Sequence, residues 1–321
     1  MNKISFVIPC YRSEKTIQDV AYELREVMLQ RPQLDYEIIL VNDGSPDNVW
    51  LTIERLCVED AHIKGVCLFR NFGQANAQMA GLNHATGDAV VFLDDDGQCP
   101  ADQLFRLLQP LEEGCDVSVA RYPKKKQSLF KNFGSYVNRW MACWLLELPT
   151  GFVMSNFFAI SRSVAEEICN YKNPYPYFTG LIFRVTHDVA SVEMEERERT
   201  IGTTGYTLKK LLALWMNGFT NFSTKPLRLA SFVGTTMAAG GFIWGFVIVL
   251  RKILGQDIPM GYSSLMACIL FIGGLIMFML GLIGEYVGRI FICLNNTPQY
   301  IVRECKGFDE ENEATNRQKN L

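Results

Sequence analysis

The sequence contains only three histidines, and its formal net charge is −3 over 321 residues. It lacks the basic excess that nucleic-acid binding requires, so no nucleic-acid partner is expected. The ten cysteines form no CxxC pair and no zinc-ligand spacing, which indicates reduced thiols in the cytoplasm. The chain runs from Met1 directly into a strand-like segment, and we expect no cleavable signal peptide.

Charged residues are also missing from two long stretches in the last third of the chain. Ser231–Leu250 is a run of twenty residues without a charge, and Ile258–Gly284 is a run of twenty-seven. A helix of roughly 20 apolar residues can cross a membrane, and runs this long disfavour two buried helices of a soluble domain. The sequence predicts a membrane domain at 226–290, with transmembrane helices at about 229–250 and 262–285.

The distribution of basic residues predicts how these helices are oriented. Without a signal peptide, the N-terminal part is expected to stay in the cytoplasm, and two crossings return the C-terminus there. Lys209 and Lys225 before the pair and Arg289 after it fit the positive-inside rule, whereas Arg251 between the helices opposes it. We expect a multi-pass protein of the inner (cytoplasmic) membrane with its large domain in the cytoplasm.

Residues 1–225 alternate strand-like and helix-like segments, which predicts an α/β domain with a mostly parallel sheet and helices on both faces. Two stretches near 129–148 and 207–222 have apolar and polar faces at helical spacing. We expect these amphipathic helices to lie in the membrane interface, the alternative being ordinary core-facing helices. Residues 291–321 are predicted to form a cytoplasmic tail, partly disordered.

The strand-like run Ala89–Leu93 leads directly into three consecutive carboxylates, Asp94, Asp95 and Asp96. Like charges at a strand end must stay hydrated or be neutralised. A divalent cation bound with a phosphate-bearing ligand would neutralise them, and strand ends are where parallel α/β sheets bind ligands. A solvated acidic turn before a helix explains the same residues, so the spacing alone leaves both interpretations open.

Four short motifs occupy the ends of predicted strands: VIPCYRSE at 7–14, VNDGS at 41–45, RNFGQ at 70–74 and DDDGQ at 94–98. In this order they resemble the VIPxYNEE, VDDGS, RNxGQ and DxDxQ motifs of family 2 glycosyltransferases, and within them the polyprenyl-phosphate glycosyltransferases. The resemblance extends from about Ile4 to Arg303. It implies a GT-A-type, Rossmann-like domain followed by two transmembrane helices.

The resemblance also implies a donor site. Asp43 would accept a hydrogen bond from a uracil imide, although an Asx-turn or helix cap explains this residue equally well. Mg²⁺ or Mn²⁺ would be held by Asp96 with Asp94, since oxygen ligands suit these cations. The implied nucleotide-sugar-binding residues are Pro9, Tyr11, Glu14, Asp43, Arg70, Asp94 and Asp95, and the implied catalytic residues are Asp94, Asp96, Gln98 and Arg199.

A second set of residues is implied to bind the phosphate of the acceptor. Lys131 replaces an arginine of the related motif, which keeps the charge but loses the bidentate fork. Phe152 stands where many relatives have an Asp in a GDFR- or GDYG-like turn, sometimes proposed as a catalytic base. The implied acceptor-binding residues are Arg121, Lys131, Ser135, Arg199, Thr204 and Tyr206.

The activity implied by the resemblance is inverting transfer of a sugar from a nucleoside diphosphate, expected to be UDP, to polyprenyl (undecaprenyl) phosphate. The reaction would take place at the cytoplasmic membrane face and give a polyprenyl-phospho-sugar for cell-envelope glycan modification. Relatives form homo-oligomers, which is expected here. The alternatives are transfer to another lipid-linked acceptor, or a catalytically silent membrane scaffold, which the intact Asp94, Asp96 and Gln98 oppose.

Overall fold

The computed structural model describes residues 1–122, 152, 154–195, 197, 225–254, 261–295 and 297–308. The chain divides into two units. One comprises Met1–Thr207 together with Thr297–Leu321, and the other comprises Leu208–Asn296. The residues after the second unit therefore belong to the same unit as the N-terminal domain.

The described residues of the first unit form a sheet of eight strands. The strands are β1 (Lys3–Cys10), β2 (Asp35–Asn42), β3 (Ile63–Leu68), β4 (Ala89–Phe92), β5 (Val117–Arg121), β6 (Phe158–Ser161), β7 (Val189–Glu193) and β8 (Val302–Lys306). Their order across the sheet is β7-β5-β6-β4-β1-β2-β3-β8. The four neighbours β4, β1, β2 and β3 are parallel, β6 is antiparallel to both β4 and β5, and β8 is antiparallel to β3. This confirms the predicted α/β domain.

Helices of the first unit pack on the sheet through apolar residues at helical spacing, as in the helix that begins at Ile17 and buries Val20, Leu24 and Val27. The third helix comes so close to the sheet that a Cβ on Gly81 would lie 2.4 Å from a methyl carbon of Val7. Among the residues of this unit that the structure describes, the α-helices are α1 (Ile17–Met28), α2 (Val49–Glu59), α3 (Gln74–His84), α4 (Leu104–Glu112), α5 (Arg162–Cys169) and α6 (Phe178–Val185).

A buried carboxylate joins the amino ends of the parallel strands. Glu37 of β2 is 1% exposed and accepts hydrogen bonds from the Ser5 hydroxyl at 2.6 Å and from the Thr86 N–H at 2.7 Å. The Lys64 ammonium donates to it at 2.6 Å. Glu37 therefore links β1, β2, β3 and the turn before β4, at the sheet edge opposite the acidic motif.

Part of the predicted C-terminal tail is instead a strand of the sheet. The backbone N–H of Phe69 donates to the Ile301 carbonyl at 3.0 Å, and β8 continues this pairing along β3. The buried Gln299 amide donates to two carbonyls of the loop after α5, those of Tyr171 and Asn173. A tail prediction based on composition missed this strand because its pairing partner is over 200 residues away in the sequence.

The second unit contains two long helices, α7 (Lys225–Ile253) and α8 (Tyr262–Leu294), which cover the two predicted transmembrane segments. Within the described residues, Phe271–Leu294 is the one stretch that is long and apolar enough to cross a membrane, with a mean hydropathy of 1.8. A second membrane crossing is not confirmed. The amphipathic helices predicted near 129–148 and 207–222 lie outside the described residues.

Candidate active site at the carboxyl ends of the parallel strands

The parallel part of the sheet brings the predicted donor-site residues to one edge. Tyr11 follows β1, Asp43 follows β2, Arg70 lies two residues after β3, and Asp94 lies two residues after β4. Since parallel strands share one direction, these four positions meet at the carboxyl edge of the sheet. Pro9 is buried within β1, beside Val41 of β2.

Asp43 is buried at 3% exposure and joins β2 to the loop before α3. Its two oxygens accept the backbone N–H groups of Phe72 at 2.7 Å and Gly73 at 2.9 Å. Burial raises the pKa of Asp43 to about 6, although these two hydrogen bonds oppose the rise. The Asx-type contact predicted as an alternative belongs to Asn42, whose side-chain oxygen accepts the Ser45 N–H at 2.9 Å.

The Asp43 turn also requires a glycine. Gly44 has a φ of 57°, and a Cβ at this position would lie 2.3 Å from the Arg70 carbonyl carbon. A side chain would therefore force the RNFGQ loop away from Asp43. Arg70 itself is exposed, and its guanidinium carbon lies 4.8 Å from the centre of the Phe72 ring.

The turn after β1 is held against neighbouring turns by side chains. Tyr11 N–H donates to Asp95 at 2.9 Å, which makes Asp95 a link between the β1 and β4 turns. Arg12 has a φ of 60°, and its N–H donates to the Ser45 hydroxyl at 2.8 Å. Glu14 accepts the Asn48 N–H at 3.3 Å and thereby connects the β1 turn to the start of α2.

In the acidic turn, Asp94 is held by two side-chain amides. Gln74 donates to Oδ1 and Asn156 donates to Oδ2, each at 2.8 Å. Burial, together with the charges of Asp96 and Asp95, raises the pKa of Asp94 to about 6 against the effect of these amides. Asp96 accepts the Gln98 N–H at 3.1 Å within the turn.

Two residues of this arrangement were not predicted as site residues, Gln74 and Asn156. Gln74 is the last residue of the RNFGQ motif, so the motif could have indicated it. The sequence predicts that Phe152 stands where many relatives have an Asp. In the structure the Phe152 ring packs on the Phe183 ring, with centroids 4.9 Å apart. Asn156 contacts the acidic turn through the carboxylate of Asp94.

The predicted acceptor residues are mostly beyond the described structure. Arg121 ends β5, and its guanidinium lies 4.0 Å from the Glu193 carboxylate of β7. Because β6 lies between β5 and β4, Arg121 is two strands away from the acidic turn. The predicted acceptor residues outside the described residues are Lys131, Ser135, Arg199, Thr204 and Tyr206.

The acidic turn fits a metal shared with a phosphate ligand better than a metal enclosed by protein. Within the described residues, no group of three or more His, Cys, Asp or Glu side chains could hold a metal. Mg²⁺ commonly binds through one or two carboxylates completed by substrate phosphates and water. Asp96 and Asp94 on one turn meet that requirement.

Comparisons with known proteins define the class. The family "Glycosyl transferase family 2" matches residues 5–169, and "GtrB C-terminal hairpin" matches residues 225–290. The fold resembles that of mannosyl-3-phosphoglycerate synthase from Rubrobacter xylanophilus, with a TM-score of 0.51 and 18% identity over 67% of this chain and 71% of that one. The family match assigns the α/β sheet with the acidic turn at its carboxyl edge to a glycosyltransferase domain.

Two curated relatives match nearly the whole chain. The prophage bactoprenol glucosyl transferase homolog of Escherichia coli (strain K12) is 32% identical over 95% of this chain and 99% of its own. The undecaprenyl-phosphate 4-deoxy-4-formamido-L-arabinose transferase of Proteus mirabilis (strain HI4320) is 33% identical over 97% and 96%. The chain belongs to glycosyl transferase family 2, as the motifs of its sequence predicted.

Asp43 gives a pH prediction that can be checked by nucleotide binding. If its carboxylate accepts a uracil imide N–H, the affinity for UDP falls about tenfold between pH 7 and pH 5, because a group with a pKa of about 6 is mostly protonated at pH 5. Calorimetry in detergent measures this change. The phosphate of UDP titrates in the same pH range, so the control is Asp43→Asn. This variant should bind UDP weakly and lack the part of the pH dependence that Asp43 causes. An equal pH dependence in both proteins contradicts the assignment.

The raised pKa of Asp43 also affects the stability of the fold. This effect favours low pH, whereas the expected affinity for UDP is higher at neutral pH. The folded state binds the Asp43 proton more tightly than the unfolded chain, whose carboxyl has its ordinary pKa of 3.8. The contribution of Asp43 to the free energy of unfolding is therefore greatest below about pH 4 and declines as the pH rises to 6. Retention of a carboxylate at this cost in stability is consistent with a binding role.

Proposed function

We propose that this protein transfers a sugar from a nucleoside diphosphate to the phosphate of a polyprenol, with inversion at the anomeric carbon. The observation that carries the proposal is the carboxyl edge of the sheet, where Asp43, Arg70 and the acidic turn meet in a family 2 fold. The names of both curated relatives support this acceptor, since they describe transferases that act on bactoprenol or undecaprenyl phosphate.

For the donor, we propose UDP bound between the turns after β1 and β2, with its diphosphate near the acidic turn. Asp43 accepts from the uracil imide, and the exposed Arg70 offers a guanidinium to phosphate oxygens. Asp96 and Asp94 are proposed to hold Mg²⁺ or Mn²⁺. When bound, such a cation neutralises charge that develops on the departing diphosphate.

For the acceptor, a phosphate monoester is a competent nucleophile without a protein base, because its second pKa is about 6. Its oxygen attacks the anomeric carbon from the face opposite the diphosphate, which inverts the configuration. The residues proposed to bind this phosphate are Arg121, Lys131, Ser135, Arg199, Thr204 and Tyr206.

We also propose that α7 and α8 both cross the inner membrane and keep the catalytic domain on the cytoplasmic side. Large apolar side chains on both helices are exposed, among them Phe242 and Trp244 on α7 and Phe271 and Met277 on α8. The match of this region to a family-specific hairpin supports a paired arrangement. A homo-oligomer remains a prediction.

The test incubates the purified full-length protein with undecaprenyl phosphate, Mn²⁺ and a panel of UDP-, GDP- and dTDP-sugars, followed by mass spectrometry of the lipids. The expected product is undecaprenyl phosphate extended by one sugar from a UDP donor. Undecaprenol is the matched control and should give no product, because it lacks the attacking phosphate. Absence of product with every donor, or equal transfer to undecaprenol, contradicts the proposal.

A further inference from the structure

Three chain segments meet at the carboxylate of Asp94. Gln74 stands at the first position of α3, Asp94 follows β4, and Asn156 precedes β6. Each amide donates to a different oxygen of Asp94 at 2.8 Å, so both carboxylate oxygens are held in place by hydrogen bonds from side chains. With two donors on opposite oxygens, rotation of the carboxylate about its Cβ–Cγ bond breaks at least one hydrogen bond.

The sheet explains why Asn156 occurs at this place. β4 and β6 are antiparallel, with Phe92 opposite Phe158 as their last pair, and the two rings stack with centroids 4.5 Å apart. Continued by two residues, this register places Asp94 opposite Asn156. Strand pairing therefore brings the segment of Asn156 beside that of Asp94, and the start of α3 brings Gln74 to the other oxygen.

We propose that Asn156 is a positioning residue for donor binding, which acts with Gln74 to hold the Asp94 carboxylate in one orientation toward the nucleotide diphosphate and its cation. Asn156 supplies an amide N–H to one oxygen of Asp94, and Gln74 supplies an amide N–H to the other. An aspartate there would offer no proton and would place a second carboxylate against the first. The inference rests on the part of the proposed function that concerns the nucleotide donor. It does not depend on the identity of the acceptor.

The test compares Asn156→Asp, which has nearly the same shape but no donor group, with Asn156→Ala and with Gln74→Glu on the other oxygen. The control is Asn170→Asp, the same change at an exposed residue after α5. Calorimetry on the full-length proteins in detergent measures the Kd of UDP with Mn²⁺, without acceptor. Thermal midpoints are recorded to exclude loss of fold.

We expect Asn156→Asp and Gln74→Glu to weaken binding of UDP–Mn²⁺ by about 10- to 100-fold, the usual effect of losing a hydrogen bond to a charged group. Asn156→Ala is expected to lose about tenfold, while Asn170→Asp binds as the wild type does. In turnover, the loss should appear in KM for the donor and in the Mn²⁺ concentration for half-maximal rate, with KM for the lipid unchanged.

Wild-type affinity in a folded Asn156→Asp protein overturns the inference, as does a loss that is equal for donor and lipid. If the proposed function fails because wild type transfers no sugar, the binding comparison still decides the role of Asn156. If wild type does not bind UDP–Mn²⁺ at all, the donor site and this inference both fail. If Asn156→Asp does not fold, Asn156→Ala provides the same comparison.

Discussion

Asp96→Asn is expected to lower kcat/KM for the nucleotide-sugar donor by roughly 10²- to 10³-fold, the usual effect of removing one stabilising group from developing charge. Asparagine keeps the side-chain oxygen that accepts the Gln98 N–H, so the turn itself should persist. What is lost is the negative charge that the proposed cation requires. Initial rates over a series of Mn²⁺ concentrations measure the effect, and a chelator should abolish wild-type activity.

The matched control is Asp19→Asn, the same substitution at an exposed position in the first turn of α1. It should leave the Mn²⁺ dependence and the rate unchanged. An Asp96→Asn protein that turns over at the wild-type rate would show that the metal is held elsewhere. Activity that survives complete chelation would remove the metal from the proposal.

Glu37→Ala is expected to lower the free energy of unfolding of the catalytic domain by about 3–5 kcal/mol, the usual cost of removing one partner of a buried ion pair. The substitution leaves the Lys64 ammonium, the Ser5 hydroxyl and the Thr86 N–H without their shared acceptor. For a domain of this size the thermal midpoint should fall by about 10 °C. Differential scanning fluorimetry of the full-length protein in detergent measures the shift.

The pH dependence of stability distinguishes the loss of the Glu37–Lys64 ion pair from the effect of the cavity that the smaller side chain leaves. Burial alone would raise the pKa of Glu37, but the bonds from Lys64, Ser5 and Thr86 lower it from 4.5 to about 2. A carboxylate with a lowered pKa stabilises the fold above about pH 4.5, and this stability is lost as the pH falls towards 2. The difference between wild type and Glu37→Ala should shrink below pH 4, while Glu26→Ala, an exposed control on α1, shows little change at any pH.

Sequence reasoning was most successful where structure is local. Apolar runs ending in turn residues predicted the alternating strands and helices of the sheet domain, and the strand-like run Ala89–Leu93 contains all of β4, because burial and turn chemistry act over short distances. The shared edge of Tyr11, Asp43 and Asp94 followed from the parallel order alone. The motif resemblance then favoured a ligand site over a solvated acidic turn, two interpretations that the spacing alone left open.

The features that sequence reasoning missed depend on pairing between distant segments. Asn156 reaches Asp94 through an antiparallel register 62 residues away, and neither residue carries a local signal of that contact. The same holds for β8, in which three of the five residues are charged, so that its sequence resembles a solvent-exposed tail. Asp95 stays a predicted nucleotide-sugar-binding residue, and its contact with the Tyr11 N–H, which links two turns, carries no local signal in the sequence either.

β8 follows both long helices in the sequence, so β3 has no outer neighbour until those helices have been synthesised. Unpaired strand edges promote aggregation, and the nascent domain carries one throughout that interval. Phe69, which leads into the Arg70 loop, lacks its Ile301 partner during the same interval. The outer edge of β3, which leads into the Arg70 loop, is therefore paired only after both helices have been made, so completion of the sheet follows their synthesis.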